Sequence, residues 1–276
     1  MSDKISPNKI SALSSTLLIT LWAKAVEYDK ANPLLKDREA ARMKKQIDYD
    51  FQKFESAHLS QVGCCGRAKL FDQESLKFLS QHQDAVVVQL GAGLDARFER
   101  LGKPQVSAWY DLDLPEVINI RRQLLPETNN HYLADSLFNT DWMKTVSQHN
   151  KPVLLILEGV LMFFPKEQVK QFIASVAENL PNSTMIFDIV PPMAVGRSKY
   201  HDALKKIDSQ ERPEFSWTIQ EIKEIETWHA AIRLRSVHYI SDVCRDRYPC
   251  WTRLLYATRW GKHNLDPRVV TISFVT

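Results

Sequence analysis

Carboxylate side chains stand at the ends of several apolar runs in this chain, where they could bind a ligand together. Asp111 and Asp113 follow one run, Asp135 and Ser136 follow the next along the chain, and Glu158 follows a third. If the runs are parallel strands, their carboxyl ends meet at the edge where such sheets bind ligands. Carboxylates there can accept hydrogen bonds from ribose hydroxyls and from an adenine amino group. The spacing therefore favours a ligand that contains a nucleoside.

A turn with two glycines follows the first apolar run, DAVVVQL at 84–90. It reads Gly91-Ala92-Gly93 and continues as LDAR. Glycine lets a backbone turn tightly and approach a ligand closely. The third glycine of the GxGxxG fingerprint is replaced by Ala96, and the GxxxxGK[ST] phosphate loop is missing from this turn. By itself the turn fits a dinucleotide, a nucleoside or an ordinary connection between strand and helix.

The apolar runs alternate with amphipathic segments, and this alternation is typical of a doubly wound α/β sheet. Runs that are apolar on both sides indicate strands buried on both faces. Pro115 and Pro165 stand where the first turn of a helix tolerates proline. We predict seven strands in a mostly parallel sheet, within the runs 84–90, 106–110, 131–133, 153–157, 184–189, 232–239 and 269–275.

The first 80 residues show a helical pattern without a strand signal. We predict a helix that begins near 15, a second that carries apolar residues from Ala40 to Phe54 on one face, and a third over 68–80. The chain then divides into an N-terminal helical cap, 1–80, and an α/β domain, 81–276. Within that domain, residues 190–230 interrupt the alternation of strand and helix patterns, and we predict an insertion there on the substrate side. The pattern at 248–259 predicts a late helix.

Composition excludes several function classes. The chain has 276 residues, and its 36 Lys+Arg against 33 Asp+Glu give a net charge of +3. This excess of basic residues is too small to indicate binding to nucleic acid. The spacing of the four cysteines matches neither a zinc site nor a disulfide framework. The sequence shows no signal peptide and no run of about 18 apolar residues, so we expect a cytoplasmic protein without a membrane, nucleic-acid or metal partner.

The motifs at the strand ends carry a family resemblance. The chain strongly resembles the leucine carboxyl methyltransferase family in four segments, VVVQLGAGLDARFERL, WYDLDLPEVINIRRQLL, LADSLFNTDW and LLILEGVLMFFPKEQV. It is most similar to the bacterial branch that includes tetracenomycin-type polyketide O-methyltransferases. The resemblance implies a class I fold, Rossmann-like with seven strands, that binds S-adenosylmethionine (SAM) and releases S-adenosylhomocysteine.

The resemblance also implies roles for single residues. Arg67, and less directly Lys24, match basic residues that hold the carboxylate of SAM, and a guanidinium suits that task because it can form two parallel hydrogen bonds. Gly91 matches the backbone that passes the methionine part of the cofactor. The cofactor-binding set implied is Lys24, Arg67, Gly91, Gly93, Asp111, Asp113, Asp135, Ser136 and Glu158, with Asp113 on the ribose and Asp135-Ser136 beside the adenine.

The methyl acceptor is less defined by the sequence. Only Glu158 stands where a catalytic base could act, and a carboxylate acceptor needs no base because it is already ionised at neutral pH. We therefore expect carboxyl O-methylation of a small-molecule acid, such as a polyketide-like metabolite, with Arg197 as partner of its carboxylate. Candidate substrate residues are Arg197, Tyr200, His201 and Trp217.

Three alternatives remain open. The acceptor could be the C-terminal carboxylate of a protein, as in the family's eukaryotic relatives. A nicotinamide oxidoreductase shares the sheet and the ribose-binding acid, although the missing third glycine and the LEGVLMF block count against it. A member of the family without catalytic activity could bind SAM, or nothing, as an interaction protein.

Overall fold

The apolar runs form one sheet of seven strands in the computed structural model, which describes residues 4–5, 16–208, 210 and 212–275. The order across the sheet is β3-β2-β1-β4-β5-β7-β6, and β7 is antiparallel to both neighbours. This confirms the predicted mostly parallel α/β sheet. The strands are β1 (Val86–Leu90), β2 (Ala108–Asp113), β3 (His131–Ala134), β4 (Val153–Leu157), β5 (Thr184–Ile189), β6 (Ile232–Tyr239) and β7 (Arg268–Phe274).

Helices cover both faces of this sheet, and β1, β4 and most of β5 are therefore buried on both sides. Helix α5 begins at Pro115, as the sequence predicts, while Pro165 caps α7 from one position outside it. The helices are α1 (Thr16–Tyr28), α2 (Arg38–Gln46), α3 (His58–Gln81), α4 (Arg97–Arg100), α5 (Pro115–Leu124), α6 (Asp141–Ser147), α7 (Lys166–Asn179), α8 (Cys250–Ala257) and α9 (Arg259–Leu265).

Three predicted helix boundaries were wrong. The second helix ends at Gln46, and a separate 3₁₀ turn at Phe51–Phe54 places both phenylalanines in the core. The third begins ten residues earlier than predicted and runs through both of its glycines. The late helix is divided at Thr258, where the backbone is extended, into α8 and α9.

The N-terminal helices pack against one another and onto the sheet. Helix α1 packs on α2 and α3, and α3 also lies against β4, β5 and β7. Helix α3 thereby joins the predicted cap to the predicted α/β domain, and the division into two domains stays a prediction. Residues 1–3 and 6–15 of that cap, 209 and 211 of the predicted insertion, and 276 lie outside the described residues.

The sheet reverses its strand order at β1, whose neighbours are β2 on one side and β4 on the other. In doubly wound sheets a crevice opens at such a point, beyond the carboxyl ends of the strands. The turn after β1, the ends of β2, β3 and β4, and helices α1 and α3 meet there.

Candidate functional site

A cavity of about 280 Å³ lies at this reversal point, large enough for a small molecule rather than for single waters. Its wall includes the turn after β1, where Gly91 has φ +66°, a backbone conformation that favours glycine. Of the thirteen residues predicted for cofactor or substrate, nine line this cavity: Lys24, Arg67, Gly91, Gly93, Asp113, Asp135, Ser136, Glu158 and His201.

Asp113 closes the turn after β1 by accepting two backbone hydrogen bonds. One oxygen accepts from the Gly93 amide and the other from the Leu114 amide, each at 2.7 Å. Burial raises the pKa of this carboxyl, against the lowering effect of those two amides. Each oxygen retains a further lone pair, so a ribose with two hydroxyls can still be accepted.

Asp135 and Ser136 lie at the end of the neighbouring strand β3. The Asp135 carboxylate accepts from the Ser136 amide at 2.7 Å and from the Asn139 side chain at 2.8 Å. The next two residues, Leu137 and Phe138, also line the cavity and give this part of the wall an apolar surface. Those two apolar residues were missed from the sequence, although they follow Asp135-Ser136 directly.

Asp111 does not line the cavity, which corrects its expected contact with the cofactor. Its side chain is fully buried and accepts from Arg121 at 3.0 Å, from Asn130 at 2.7 Å and from the Trp109 indole at 3.0 Å. Asp111 lies two residues before the end of β2, about 6.6 Å back along the strand. At that depth α5 covers it through Arg121, and its role is structural.

A cluster of ion pairs lies where α1 and α3 meet the sheet, and four of its members line the cavity. Lys24 contacts Asp95 at 2.7 Å and Glu158 at 3.7 Å, so it is ion-paired with acids of the chain itself, and its contact with the carboxylate of SAM stays a prediction. Arg67 contacts Asp188 at 3.0 Å and Glu158 at 3.3 Å. We call this the ion-pair cluster; its members are Lys24, Arg67, Arg97, Arg100, Asp37, Asp72, Asp95, Glu158 and Asp188.

Arg97 lies beneath the cavity and fixes the acidic members of the cluster. It is fully buried and contacts Asp72 at 2.6 Å, Asp95 at 3.0 Å and also Glu158. Asp95 and Arg97 are the last acidic and basic residues of the GAGLDAR segment. The motif was recognised from the sequence, but the part played by these two residues was not.

The charges of the cluster determine how its acids ionise. Burial alone would raise the pKa of Asp95 and of Glu158, but the surrounding guanidinium and ammonium groups outweigh it and hold both pKa values below the usual range. Burial does raise the pKa of Asp188 despite its contact with Arg67. Glu158 is therefore an ionised, ion-paired carboxylate, which makes it a poor base.

Three of the predicted substrate residues lie outside the cavity. Arg197 and Tyr200 are exposed, Tyr200 to 72%. Trp217 is in the core, where its indole donates to the Leu161 carbonyl at 2.6 Å. Apart from His201, the segment 190–217 thus reaches the cavity through other side chains than those expected, because its short 3₁₀ turns rotate neighbouring residues to different sides.

The part of that segment which does reach the cavity is apolar and aromatic. His201, Leu204 and Phe215 line it together with Phe163 from the turn after β4. The Phe163 and Phe215 rings stack at 5.6 Å, and His201 packs edge-on against Phe215 at 5.7 Å. Of these four residues, only His201 was identified from the sequence.

His201 is the titratable group among them. Although 37% of its side chain is exposed, burial against protein lowers the pKa of its imidazole; nearby Arg67 lowers it further and Asp202 opposes the shift. The amide of Leu204 donates to Nδ1 at 3.3 Å. A neutral ring held in this way carries its proton on Nε2.

Comparisons with known proteins agree with this geometry. The model of the leucine carboxyl methyltransferase family matches residues 18–177. The tetracenomycin polyketide synthesis O-methyltransferase TcmP of Streptomyces glaucescens is 30% identical over 82% of this chain and 83% of its own. The SAM-dependent methyltransferase dpfgK of Gibberella zeae is 24% identical over 84% of this chain and 83% of its own.

A solved structure supports the fold. A SAM-dependent methyltransferase from Anabaena variabilis superimposes with a TM-score of 0.51 at 9% identity, over 79% of this chain and 94% of its own. In the part of the chain that the structure describes, no helix is long and apolar enough to cross a membrane. On the family match and the TcmP relationship, this chain belongs to the leucine carboxyl methyltransferase family and is a SAM-dependent methyltransferase.

Proposed function

We propose that this methyltransferase methylates an oxygen atom of a small apolar molecule, with a carboxylate oxygen as the preferred acceptor. The observation that carries the proposal is the contrast between the two parts of the cavity wall. One part is charged and lies over the strand ends, and the other is aromatic and carries His201 as its polar group. The relationship to TcmP, an O-methyltransferase of polyketide synthesis, favours the same class of acceptor.

The charged part of the wall fits SAM. Asp113 can accept from the ribose hydroxyls, and Asp135 with Leu137 and Phe138 can contact the adenine. Arg67 and Lys24 can hold the cofactor's carboxylate. Glu158 can accept from its ammonium, because the cations around Glu158 keep it ionised. Asp111 takes no part in this contact, because it is buried under Arg121 and does not line the cavity.

Bound SAM supplies a methyl group activated on a sulfonium, which leaves the protein chiefly to position the acceptor and exclude water. Phe163, Leu204 and Phe215 can exclude water from the acceptor side and pack against an apolar or aromatic acceptor. None of these side chains has to transfer a proton if the acceptor is a carboxylate, since that group is ionised at neutral pH.

His201 can position such a carboxylate. Its Nδ1 accepts from the Leu204 amide, so the neutral ring carries a donor on Nε2, which has only a long contact of 3.5 Å with the Ser60 hydroxyl oxygen. A donor suits an acceptor that arrives as an anion. Lys24 and Arg67 are ion-paired and are assigned to the cofactor's carboxylate, and Arg197 lies outside the cavity, so a neutral donor is the group that the acceptor side offers.

A hydroxyl acceptor is the second candidate, and one observation favours it. The lowered pKa of His201 leaves the imidazole uncharged at neutral pH, as a base for a phenol would have to be. That reaction requires the other tautomer, without the hydrogen bond from the Leu204 amide to Nδ1. A protein C-terminal carboxylate remains a further alternative, and a cytoplasmic location remains a prediction.

Two experiments test the proposal. Calorimetry with SAM, S-adenosylhomocysteine and NADH should show micromolar binding of the first two, about 8 kcal/mol, and none of NADH. A screen with labelled SAM should then compare aromatic acids with phenols of the same scaffold. Tight binding of NADH without binding of SAM would contradict the assignment of this chain as a methyltransferase.

The variant His201→Gln separates the two acceptors. Glutamine keeps an N–H donor but cannot act as a base. For a carboxylate acceptor, we expect kcat to stay within about tenfold of the wild type while KM rises. For a hydroxyl acceptor activated by His201, we expect kcat to fall by about 10²–10⁴-fold. His229→Gln, at a histidine outside the cavity lining, is the matched control.

A further inference from the structure

Helices α8 and α9 carry a surface of large apolar side chains that the fold leaves uncovered. Trp251, Leu254 and Leu255 stand at i, i+3 and i+4 on α8 and are 57%, 71% and 36% exposed, and Trp260 at the start of α9 is 58% exposed. The opposite side of α8 packs inward through Thr252 and Tyr256. Large exposed side chains in such a group mark an interaction site more often than scattered single ones do.

The same surface carries cations without a counter-charge. Arg245, Arg253 and Arg259 are exposed, and within the described residues none of the three is in an ion pair. Residues 245–263 contain five Lys or Arg and one Asp, a formal charge of +4, whereas the whole chain has +3. The excess of positive charge is therefore concentrated where the exposed tryptophans and leucines lie.

Exposed apolar side chains together with arginines favour one kind of binding partner. Two copies of the chain meeting through this surface around a twofold axis would bring the guanidinium groups together, so the charge disfavours self-association. An anionic partner is attracted to the same groups. Tryptophan and leucine beside arginine on a short amphipathic helix form the pattern that lies in the interface of an anionic lipid bilayer.

Residues beside this surface pack on elements that also contribute to the cavity wall. Cys244 and Tyr248, just before α8, pack against Gly66 and Gly63 of α3, in the turns that place Cys64 and Arg67 on the cavity wall. Helix α9 packs against the 3₁₀ turn Pro192–Ala194, ahead of His201. We propose that the exposed face of α8 and α9 docks this enzyme on an anionic lipid surface.

The sequence expectation of no membrane partner rested on the length of apolar runs. That length decides whether a helix spans a bilayer, and it carries no information about a helix that lies in the interface. The sequence predicts only a late helix over 248–259 and does not indicate which of its sides is covered. Only the structure shows that the side with Trp251, Leu254 and Leu255 faces away from the core.

The test is co-sedimentation of the full chain, without cofactor, with vesicles of phosphatidylcholine alone or mixed with phosphatidylglycerol. We expect binding to the mixed vesicles only, weakened as salt rises from about 0.1 to about 0.5 M. Arg253→Ser and Arg259→Ser should each weaken it by about fivefold, and Trp251→Ser with Leu254→Ser by at least tenfold. Fluorescence should shift to shorter wavelength, since Trp251 and Trp260 are the largely exposed tryptophans among the described residues.

Leu76→Ser is the matched control, because Leu76 is 49% exposed on α3 and is not part of the surface. It should leave vesicle binding unchanged, and all variants should keep the SAM affinity of the wild type. The proposal is overturned if mixed vesicles do not bind the chain, or if Leu76→Ser weakens binding as much as Leu254→Ser does. It is also overturned if Leu254→Ser instead dissociates a dimer in solution, or if the arginines retain the chain on a soluble polyanion but not on vesicles. None of these results affects the proposed methyl transfer, which SAM binding tests separately.

Discussion

Arg67 offers the sharpest test of the cofactor site, because no ordinary nucleotide-binding fold predicts a role for a residue 24 positions before the glycine turn. It lies in the middle of α3, and its side chain is 13% exposed. Its guanidinium faces Asp188 at 3.0 Å and Glu158 at 3.3 Å across the end of the sheet. We expect Arg67→Ala to impair SAM binding and to destabilise this junction.

The magnitude follows from the contacts that are lost. A charge-assisted hydrogen bond to the carboxylate of SAM contributes about 1.5–3 kcal/mol, so the affinity should fall by about 10–150-fold. Removing one partner of a buried ion pair costs about 3 kcal/mol or more of unfolding free energy. Asp188, whose pKa burial already raises, should take up a proton in the variant and reduce that cost.

Calorimetry with SAM and S-adenosylhomocysteine, beside urea unfolding, measures both effects. Arg67→Lys should recover only part of the affinity, because an ammonium cannot form the two parallel bonds of a guanidinium. Lys77→Ala removes an exposed cation from the same helix and should change neither quantity. An unaltered SAM affinity in Arg67→Ala would falsify the proposed contact, and full recovery by lysine would show that charge alone matters.

Three further outcomes are expected. Asp113→Ala should weaken SAM binding at least tenfold in calorimetry, whereas Asp111→Ala should cost about 3–5 kcal/mol in urea unfolding by stranding its buried arginine partner; the reverse pattern would mean that the site is misassigned. Burial raises the pKa of Asp266 to about 6, so its proton is held more tightly in the folded state. The protonated Asp266 therefore contributes about 3 kcal/mol to the free energy of unfolding below about pH 4, near the pKa of the unfolded chain. This contribution is lost as the pH rises to about 6. Asp266→Asn should flatten the urea-derived stability over that range, and an unchanged slope would contradict it. The Cys64 thiol lines the cavity and its pKa is raised by burial, so at pH 7 it should react with N-ethylmaleimide more slowly than the exposed thiol at Cys250, and more slowly still with SAM bound. Mass spectrometry counts the adducts, and simultaneous labelling of both thiols would refute this.

The sequence predicts the sheet well because its central strands β1, β4 and β5 are largely apolar on both sides, a local property. It fails for α3 for a reason that is not local. Gly63 and Gly66 precede the predicted start at 68, yet the helix runs through them, and Tyr248 and Cys244 pack there; a Cβ on Gly66 would lie 2.6 Å from the Cys244 sulfur. That contact joins residues almost 180 positions apart, and nothing in the neighbouring sequence indicates it.

In the candidate site, too, residues that local sequence patterns locate were placed correctly at the cavity, and several others were not. Asp113, Asp135 and Glu158 were identified because strand ends can be located from the apolar runs that precede them. Trp217 was misplaced because the segment after β5 has no periodic pattern from which the side of a residue could be derived. Asp111 and Asp113 lie on the same strand, two positions apart, and the sequence does not distinguish them. Only Asp111 is far enough from the strand end to be covered by Arg121 of α5, and this depends on how the helix packs.

The ion-pair cluster joins the fold to the proposed function. Lys24 comes from α1 and Arg67 from α3, while Asp95, Glu158 and Asp188 belong to the sheet and its turns. Helices that would otherwise be a separate cap are thus fixed to the edge that holds the cofactor. Because every carboxylate of SAM or of an acceptor must compete with these internal acids for the same cations, the cluster limits how many anions the cavity can hold. A donor without charge, such as His201, is then what remains for an anionic acceptor, and this is why the acceptor's chemistry should depend on that one side chain.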